Sequence, residues 1–324
     1  MNVKSARPDR MAASWLVWTA LWVVYLVWGS TYLAIRYVVE TMPPLLAGGV
    51  RFLAAGLIMQ VVLMIRRGPR GVAVSVKEVV ACSLVGAALL VGGNGLVMVA
   101  EQSIPSGLAA LVVAAVPLWV VVLRALFRDR APRDTLIGVV VGFVGVGILV
   151  LPGSSGGAAS TAGVLTVVLA SSFWAAGSFF SKRLPLPQDP FTSTTIQMVC
   201  GGLIMLVVGL LAGEGARVDF DAMSSSSIVG LVYLIFAGSL LAFTAYTWLL
   251  QHAPISKVAT YAYVNPVVAI FLGWALLAEP VTPAIAVGAT IIVGSVAYIV
   301  RRESKSAPEI SELPPERLPQ TASR

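Results

Sequence analysis

Large aromatic and amide side chains inside long apolar stretches are the residues of this chain best suited to hold a solute. Trp and Tyr rings combine a flat apolar surface with a hydrogen-bond donor, and an amide buried without a partner is costly. Such groups, set among apolar neighbours, suit flat or amphipathic organic solutes. The residues of this kind are Trp28, Asn94, Trp119, Trp174, Tyr246, Tyr261, Tyr263 and Asn265. We expect them to line a substrate cavity; for each ring, packing or a lipid-interface belt is the alternative.

Arg51 lies several residues inside the second apolar stretch. A charge at the centre of a bilayer costs at least ~2.5 kcal/mol, so a residue of this kind is a candidate for function. We expect Arg51 to contact substrate or a cavity carboxyl, unless it snorkels to the interface. Glu101 and Glu279 fall at the ends of apolar stretches, where we expect solvated loops. No Asp or Glu lies in the middle of a stretch, so the sequence shows no carboxylate proton carrier.

Pro117 and Pro266 fall near the middle of apolar stretches. A proline inside a helix removes one backbone hydrogen bond and frees a carbonyl, which in lipid must be satisfied by protein or by cavity water. Two interpretations stay open: the prolines act as hinges that also line a cavity, or they only shape packing.

The chain offers little to catalytic chemistry. It contains a single histidine, no HExxH or GxSxG motif, and two cysteines that both lie in apolar stretches. These residues predict no metal site, no cofactor and no disulfide, so we do not expect an enzyme. A Walker loop is also missing from the sequence, which excludes ATP-driven transport by this chain alone. No filter-like segment or charged ring favours a channel.

Composition places these residues in a membrane protein. Hydrophobic residues make up 58% of the chain and charged residues 11%, whereas an ordinary soluble domain has about 25% charged residues. The net charge of +7 comes from basic clusters between apolar stretches. This placement does not form the basic face that nucleic-acid binding requires. We therefore predict an all-α polytopic membrane protein whose partners are the lipid bilayer and a small-molecule substrate.

Ten stretches are long enough, at about 20 residues each, to cross a bilayer. They lie near residues 15–35, 45–65, 79–100, 107–127, 135–152, 161–181, 191–212, 228–250, 257–277 and 283–300. Lys and Arg concentrate in alternate loops and in both tails, and by the positive-inside rule both termini are cytoplasmic. Gly138 and Gly142 form a GxxxG step that suits close packing within the chain or a dimer face, so monomer and homodimer both stay open.

An internal repeat divides the membrane region. Pro105 pairs with Pro254 and Pro117 with Pro266, each pair 149 residues apart. Five spans per half is an odd number, so the second half must enter the membrane inverted, as in secondary carriers whose site lies between the halves. The predicted regions are a cytoplasmic segment 1–14, a first repeat 15–152, an outside linker 153–160, a second repeat 161–300 and a disordered cytoplasmic tail 301–324.

The segment WGSTYLAIRYVVETMPPLLAGGVRFLAAGLI, residues 28–58, carries a family resemblance. Its Trp-Gly pair, its two prolines and its Arg-Phe pair, and in the second half Asn265-Pro266 and Glu279-Pro280, resemble the EamA domain of the drug/metabolite transporter superfamily. The resemblance covers roughly residues 15 to 300 as two tandem domains. The chain departs from the family pattern at two places: Arg128-Asp129-Arg130 stands where many members have Gly-Glu, and Trp174 is followed by AAGS.

The resemblance implies ten helices, arranged as two inverted five-helix repeats around a central cavity. Helices one, three, four, six, eight and nine would line most of that cavity. The implied activity is export of amino acids, other metabolites or drugs across a bacterial cytoplasmic membrane. An importer or a lipid-linked-sugar flippase on the same fold is the alternative. Substrate identity and ion coupling stay open.

Overall fold

The computed structural model describes residues 14–127, 133–151, 157, 159–253, 255–258 and 260–306. Within these residues the secondary structure is helical, without a β-strand. Eight helices are long and apolar enough to cross a membrane, and two shorter apolar helices, Thr135–Val150 and Tyr261–Leu277, complete a set of ten in the described chain. The predicted all-α architecture is confirmed.

The ten helices follow one another through short connections. In chain order they are α1 Ser14–Thr41, α2 Pro44–Gly71, α3 Val76–Ala100, α4 Ser106–Leu126, α5 Arg133–Val150, α6 Thr161–Ser181, α7 Pro190–Leu211, α8 Ser225–Leu250, α9 Tyr261–Leu277 and α10 Pro283–Ser306. The end of the bundle opposite Ser14, where α1 ends and α2 begins, is called the distal end below. Helix α10 extends to Ser306, into the segment that the sequence assigned to a disordered tail; the segment beyond Ser306, and Pro254 of the repeat, lie outside the described residues.

Side-chain caps explain where several helices begin. A helix leaves its first backbone N–H groups without partners, and in lipid those groups must be satisfied by protein. Ser75 caps α3 in a capping box with Glu78, Ser160 accepts from Gly163 N at the start of α6, and Asp189 accepts from Thr192 N at the start of α7. These short polar residues before apolar runs set the register of the helices that follow.

Helix packing follows the two-fold pattern of an inverted repeat. Helix α2 packs on α7 and α5 packs on α10, each pair being one helix and its counterpart in the other half. Helix α1 packs on α8 and α9, and its counterpart α6 packs on α3 and α4. The chain therefore folds as two inverted five-helix repeats, as the odd span count predicts.

Glycines allow α2 and α7 to approach closely. A Cβ built on Gly202 would lie 2.6 Å from the backbone nitrogen of Leu53, and one built on Gly49 would lie 2.9 Å from that of Leu206. The GxxxG step of α5 is also used inside the chain, since Gly138 faces Ile299 of α10 and Gly142 faces Leu118 of α4. Close helix packing, the alternative to a dimer face, accounts for both glycines.

The third helix of each repeat contains a π-helical segment. In α3 the segment is Ala87–Gly95, and in α8 it is Leu234–Leu241. The wider turn of a π helix disturbs the regular backbone ladder, and such turns are frequent at functional sites. Their matching places in the two halves are a second structural sign of the repeat, and both segments face the centre of the bundle.

Candidate substrate cavity

A cavity of about 140 Å³ lies at the centre of the helix bundle. Its walls come from α1, α3, α4, α6, α8 and α9, the six helices that the family resemblance implies, and also from α2. Both repeats therefore contribute to one enclosure, and most of its surface is apolar. This is the usual character of a site for a small organic ligand.

Most of the residues selected from the sequence border this cavity. They are Trp28, Arg51, Asn94, Trp174, Tyr261 and Asn265, together with Pro117 and Pro266. They come from six different helices, so only the tertiary fold brings them together.

The other three candidates do not border the cavity. Trp119 packs edge-on against Phe143 at 4.9 Å, and its Nε1 donates to Ser171 Oγ at 3.0 Å. Tyr246 stands behind the wall, with its ring centroid 5.0 Å from that of Trp28. Tyr263 is half-buried and packs with the hydrophobic core. Trp119 thus contacts the cavity residue Ser171, and Tyr246 packs against the cavity residues Trp28, Phe243 and Tyr261.

Trp28 is the centre of an aromatic cluster on one side of the cavity. Its ring centroid lies 5.3 Å from that of Tyr261 and 5.9 Å from that of Phe243, both in edge-to-face geometry. Its Nε1 donates to the carbonyl of Gly238 at 3.1 Å. Edge-to-face packing and the satisfied indole N–H fix the orientation of the ring, so a rigid apolar surface faces the cavity.

The π-helical segments give space and polar groups to the same enclosure. The carbonyl of Gly238, in the segment of α8, accepts from Trp28, and that of Leu89, in the segment of α3, accepts from Asn94 Nδ2 at 3.4 Å. A Cβ on Gly93 would lie 2.7 Å from the Trp174 ring. Each repeat therefore uses its π segment to seat a side chain against the cavity, as expected where the regular backbone ladder is disturbed.

Arg51 is buried, with 4% of its surface exposed. Its Nε donates to Ser239 Oγ at 3.0 Å, and its guanidinium lies over the ring of Phe52 at 4.6 Å. Its Nη1 is buried and has no hydrogen-bond partner among the described residues. The side chain therefore points across the bundle towards α8 and does not snorkel to the interface.

Asn265 and the two prolines shape the α4 and α9 walls. With its amide nitrogen turned towards the carbonyls of Tyr25 and Tyr261, Asn265 donates to both at 3.3 Å. Helix α4 is interrupted between Val113 and Val116, just before Pro117, whereas Pro266 lies inside an unbroken α9. The equivalent prolines therefore have different effects in the two repeats. Helix α4 is interrupted just before its proline, whereas α9 continues through its own.

Several lining residues were missed by sequence reasoning. Tyr32 follows Trp28 by one helical turn, and Ser171 precedes Trp174 by slightly less than a turn, so both share a face with a residue that was selected. Helical periodicity could therefore have identified Tyr32 and Ser171 from the sequence. Ser239, the hydrogen-bond partner of Arg51, had none, because its role depends on the contact between α2 and α8.

The expectation of a solvated loop is wrong for Glu101, whereas Glu279 does lie in a loop but is only partly exposed. Glu101, directly after α3, is fully buried, and neither of its carboxylate oxygens has a hydrogen-bond partner in the described chain. Burial, with a smaller contribution from the Glu279 carboxylate, raises the pKa of Glu101 well above its ordinary value, and Arg36 opposes this. Glu279 is partly buried because it binds the start of α4. Both carboxylates lie at the distal end, outside the cavity lining.

The described residues contain no group of three or more His, Cys, Asp or Glu side chains that would suit a metal ion. The described lining combines a rigid aromatic surface, two amides and one buried cation around a small apolar enclosure.

Comparison of the sequence with those of known proteins finds membrane transporters among its relatives. The model of the EamA-like transporter family matches residues 14–151 and again residues 161–301. The inner membrane transporter YedA of Escherichia coli (strain K12) is 36% identical over 262 residues, which covers 80% of this chain and 82% of YedA. A Salmonella typhimurium protein named "Probable amino-acid metabolite efflux pump" is 27% identical over 280 residues, covering 83% of this chain and 90% of that protein.

A solved structure shows the same fold. A crystal structure of a protein 17% identical to this one superposes with a TM-score of 0.61, and the match covers 90% of this chain and 99% of the other. The apolar helices and the inner-membrane relatives make this an integral membrane protein of the inner membrane. With its two family matches spanning nearly all of the ten-helix bundle, the chain belongs to the EamA-like transporter family.

Proposed function

We propose that this protein is a secondary transporter that exports small organic solutes from the cytoplasm by alternating access. The observation that carries the proposal is the central cavity, because its walls are built from helices of both inverted repeats. Rocking one repeat against the other would expose such a cavity to each side of the membrane in turn. The efflux-pump name of the Salmonella relative supports the outward direction.

The composition of the lining favours soluble organic solutes over lipid-linked sugars. A flippase for such lipids needs basic residues for the phosphate groups, and Arg51 is the one basic residue of the described lining. Rings, amides and a single cation suit a small solute with a flat or apolar body.

Mass spectrometry of the growth medium tests the proposal. We would compare cells that overexpress the protein, cells that lack it, and cells that overexpress Trp22→Ala, a change on a Trp that is 54% exposed on the outer face of α1. We expect at least one solute to accumulate outside only with the wild-type protein or the Trp22 variant. Depletion of a solute from the medium would instead indicate import. An unchanged medium, with the protein confirmed in the membrane, would favour the flippase.

We also propose that both termini face the cytoplasm, from the concentration of Lys and Arg in the tails and alternate loops. A green fluorescent protein fused after Arg324 should fluoresce, and alkaline phosphatase fused at the same place should be inactive. The reverse pair of results would contradict this orientation.

A further inference from the structure

The Arg51 guanidinium is a buried charge without a counter-charge. Its interactions in the described chain are the hydrogen bond to Ser239, the ring of Phe52 and an electrostatic interaction with Tyr32. None of these carries a negative charge at neutral pH. An arginine does not relieve the cost of burial by losing its proton, so the free cavity retains an unneutralised cation.

The buried carboxylate of Glu101 does not provide the missing charge. Tyr32 interacts electrostatically with both Arg51 and Glu101. Glu101 is not part of the cavity lining, and its oxygens make no hydrogen bond to Arg51. The lining itself contains no Asp or Glu among the described residues.

The position of Arg51 makes it available to a solute. It stands seven residues after Pro44, roughly 10 Å along α2 from the distal end at 1.5 Å per residue, and the Ser239 bond turns it inwards. Gly238, beside Ser239, leaves room for the guanidinium, because a Cβ there would lie 3.3 Å from Arg51 Nη2. A planar guanidinium with a free Nη1 suits a carboxylate.

We propose that the transported solute carries an anionic group, a carboxylate being the best fit, that binds Arg51 while its apolar body lies against the Trp28 and Trp174 rings. This inference rests on the proposed function and names the substrate class of the same cavity. The described lining has no carboxylate to receive an ammonium group, so a cationic solute would meet the repulsion of Arg51 without an ion pair to offset it. Aromatic or apolar carboxylates are therefore preferred over amines of the same shape.

Three indole compounds of similar size, one anionic, one neutral and one cationic, test whether binding depends on the charge of the solute or on its ring. Purified protein in detergent would be titrated with indole-3-acetate, indole-3-acetamide and tryptamine, and binding would be followed by calorimetry. A charge-assisted hydrogen bond is stronger than a neutral one, so we expect the acetate to bind at least roughly tenfold more tightly than the acetamide. Tryptamine should bind most weakly. Equal binding of acetate and acetamide by the wild-type protein would overturn the proposal.

Substitutions of Arg51 test whether this residue causes the preference for the acetate over the acetamide. Arg51→Gln should bind acetate and acetamide alike, and Arg51→Lys should retain part of the preference. Arg66→Gln, which removes an exposed arginine from the same helix, should behave as the wild type. Retention of the full preference in a folded Arg51→Gln protein would overturn the proposal. If that variant does not fold, the comparison of the wild type with Arg51→Lys decides in its place, and an unchanged ratio counts against a direct contact.

The binding assay is independent of transport direction. If export is observed but the acetate has no advantage, the proposed function stands and the substrate class is wrong. If the acetate binds through Arg51 but accumulates inside intact cells instead of leaving them, the substrate class stands and the direction is wrong.

Discussion

The carboxylate of Glu279 binds the first turn of α4: its Oε1 accepts from the backbone nitrogen of Ser106 at 2.8 Å, and its Oε2 accepts from that of Gly107 at 3.1 Å. The connection after α9 thereby satisfies two of the unpaired N–H groups of a helix from the other repeat. Glu214, after α7, does the same for α2 through the backbone nitrogens of Leu45 and Leu46. Two carboxylates thus join the repeats at the distal end.

Replacing Glu279 with alanine should destabilise the protein. The change leaves the backbone N–H groups of Ser106 and Gly107 unpaired and removes a negative charge from a helix N-terminus, a loss of about 1–2 kcal/mol in the free energy of unfolding. Thermal unfolding in detergent would measure it as a lower Tm. Glu40→Ala, on an exposed residue at the same end, should leave the Tm near that of the wild type. Equal effects of the two changes would contradict the capping role.

Gly202→Ala should weaken the contact between α2 and α7. The added Cβ would meet the backbone of Leu53 at 2.6 Å, and a backbone cannot turn aside as a side chain can. Forcing the helices apart should cost about 1–3 kcal/mol, as overpacking typically does. Gly294→Ala is the matched control, because a Cβ on that helical residue meets nothing within 4 Å. In the same thermal assay only the Gly202 variant should lose stability.

Glu101 should make stability depend on pH. Its pKa in the folded protein lies above the ordinary value of 4.5, so as the pH rises the unfolded chain loses this proton first. The Glu101 contribution to the free energy of unfolding is therefore constant below about pH 4.5 and falls as the pH rises towards the folded pKa. The groups that act on it are Glu279, Arg36 and Tyr32.

The variant Glu101→Gln removes that titration. Between pH 5 and pH 8 the Tm of the wild type should fall more than the Tm of Glu101→Gln, while Glu40→Gln should follow the wild type. Parallel curves for wild type and Glu101→Gln would show that Glu101 keeps an ordinary pKa.

Trp28→Ala should abolish most transport without lowering the amount of protein in the membrane. The change removes the ring that packs against Tyr261 and Phe243, and it leaves the carbonyl of Gly238 without its hydrogen-bond donor. The measurement is solute release from cells, normalised by immunoblot of the membrane fraction. Trp22→Ala, on the exposed side of the same helix, should transport as the wild type. Normal release by the Trp28 variant would show that this ring is not part of the site.

The sequence predicts those cavity residues that can be recognised from the stretch of chain around them. An amide or an indole inside an apolar stretch is conspicuous wherever it lies, and Trp28, Asn94 and Asn265 were found in this way. Glu101 was misjudged because its position at a helix end suggests water, whereas its burial comes from elements brought over it by the fold. Ser239 had no local signal, because its role depends on how α8 meets α2, and the π-helical turns of α3 and α8 had none either.

The π-helical segments of α3 and α8 are the places where those helices can lose a residue. Each residue of a regular α-helix turns the chain by about 100°, whereas a π-type turn holds one residue more than a regular turn. Deleting one residue within Ala87–Gly95 would therefore restore a regular turn and leave Val97 and Ala100, both buried beyond the segment, facing the core. The same holds for Leu234–Leu241 of α8. A one-residue deletion in a regular part of either helix would instead rotate everything beyond it by that angle, so each repeat carries one segment that tolerates a change in residue number at the expense of the shape of the cavity wall.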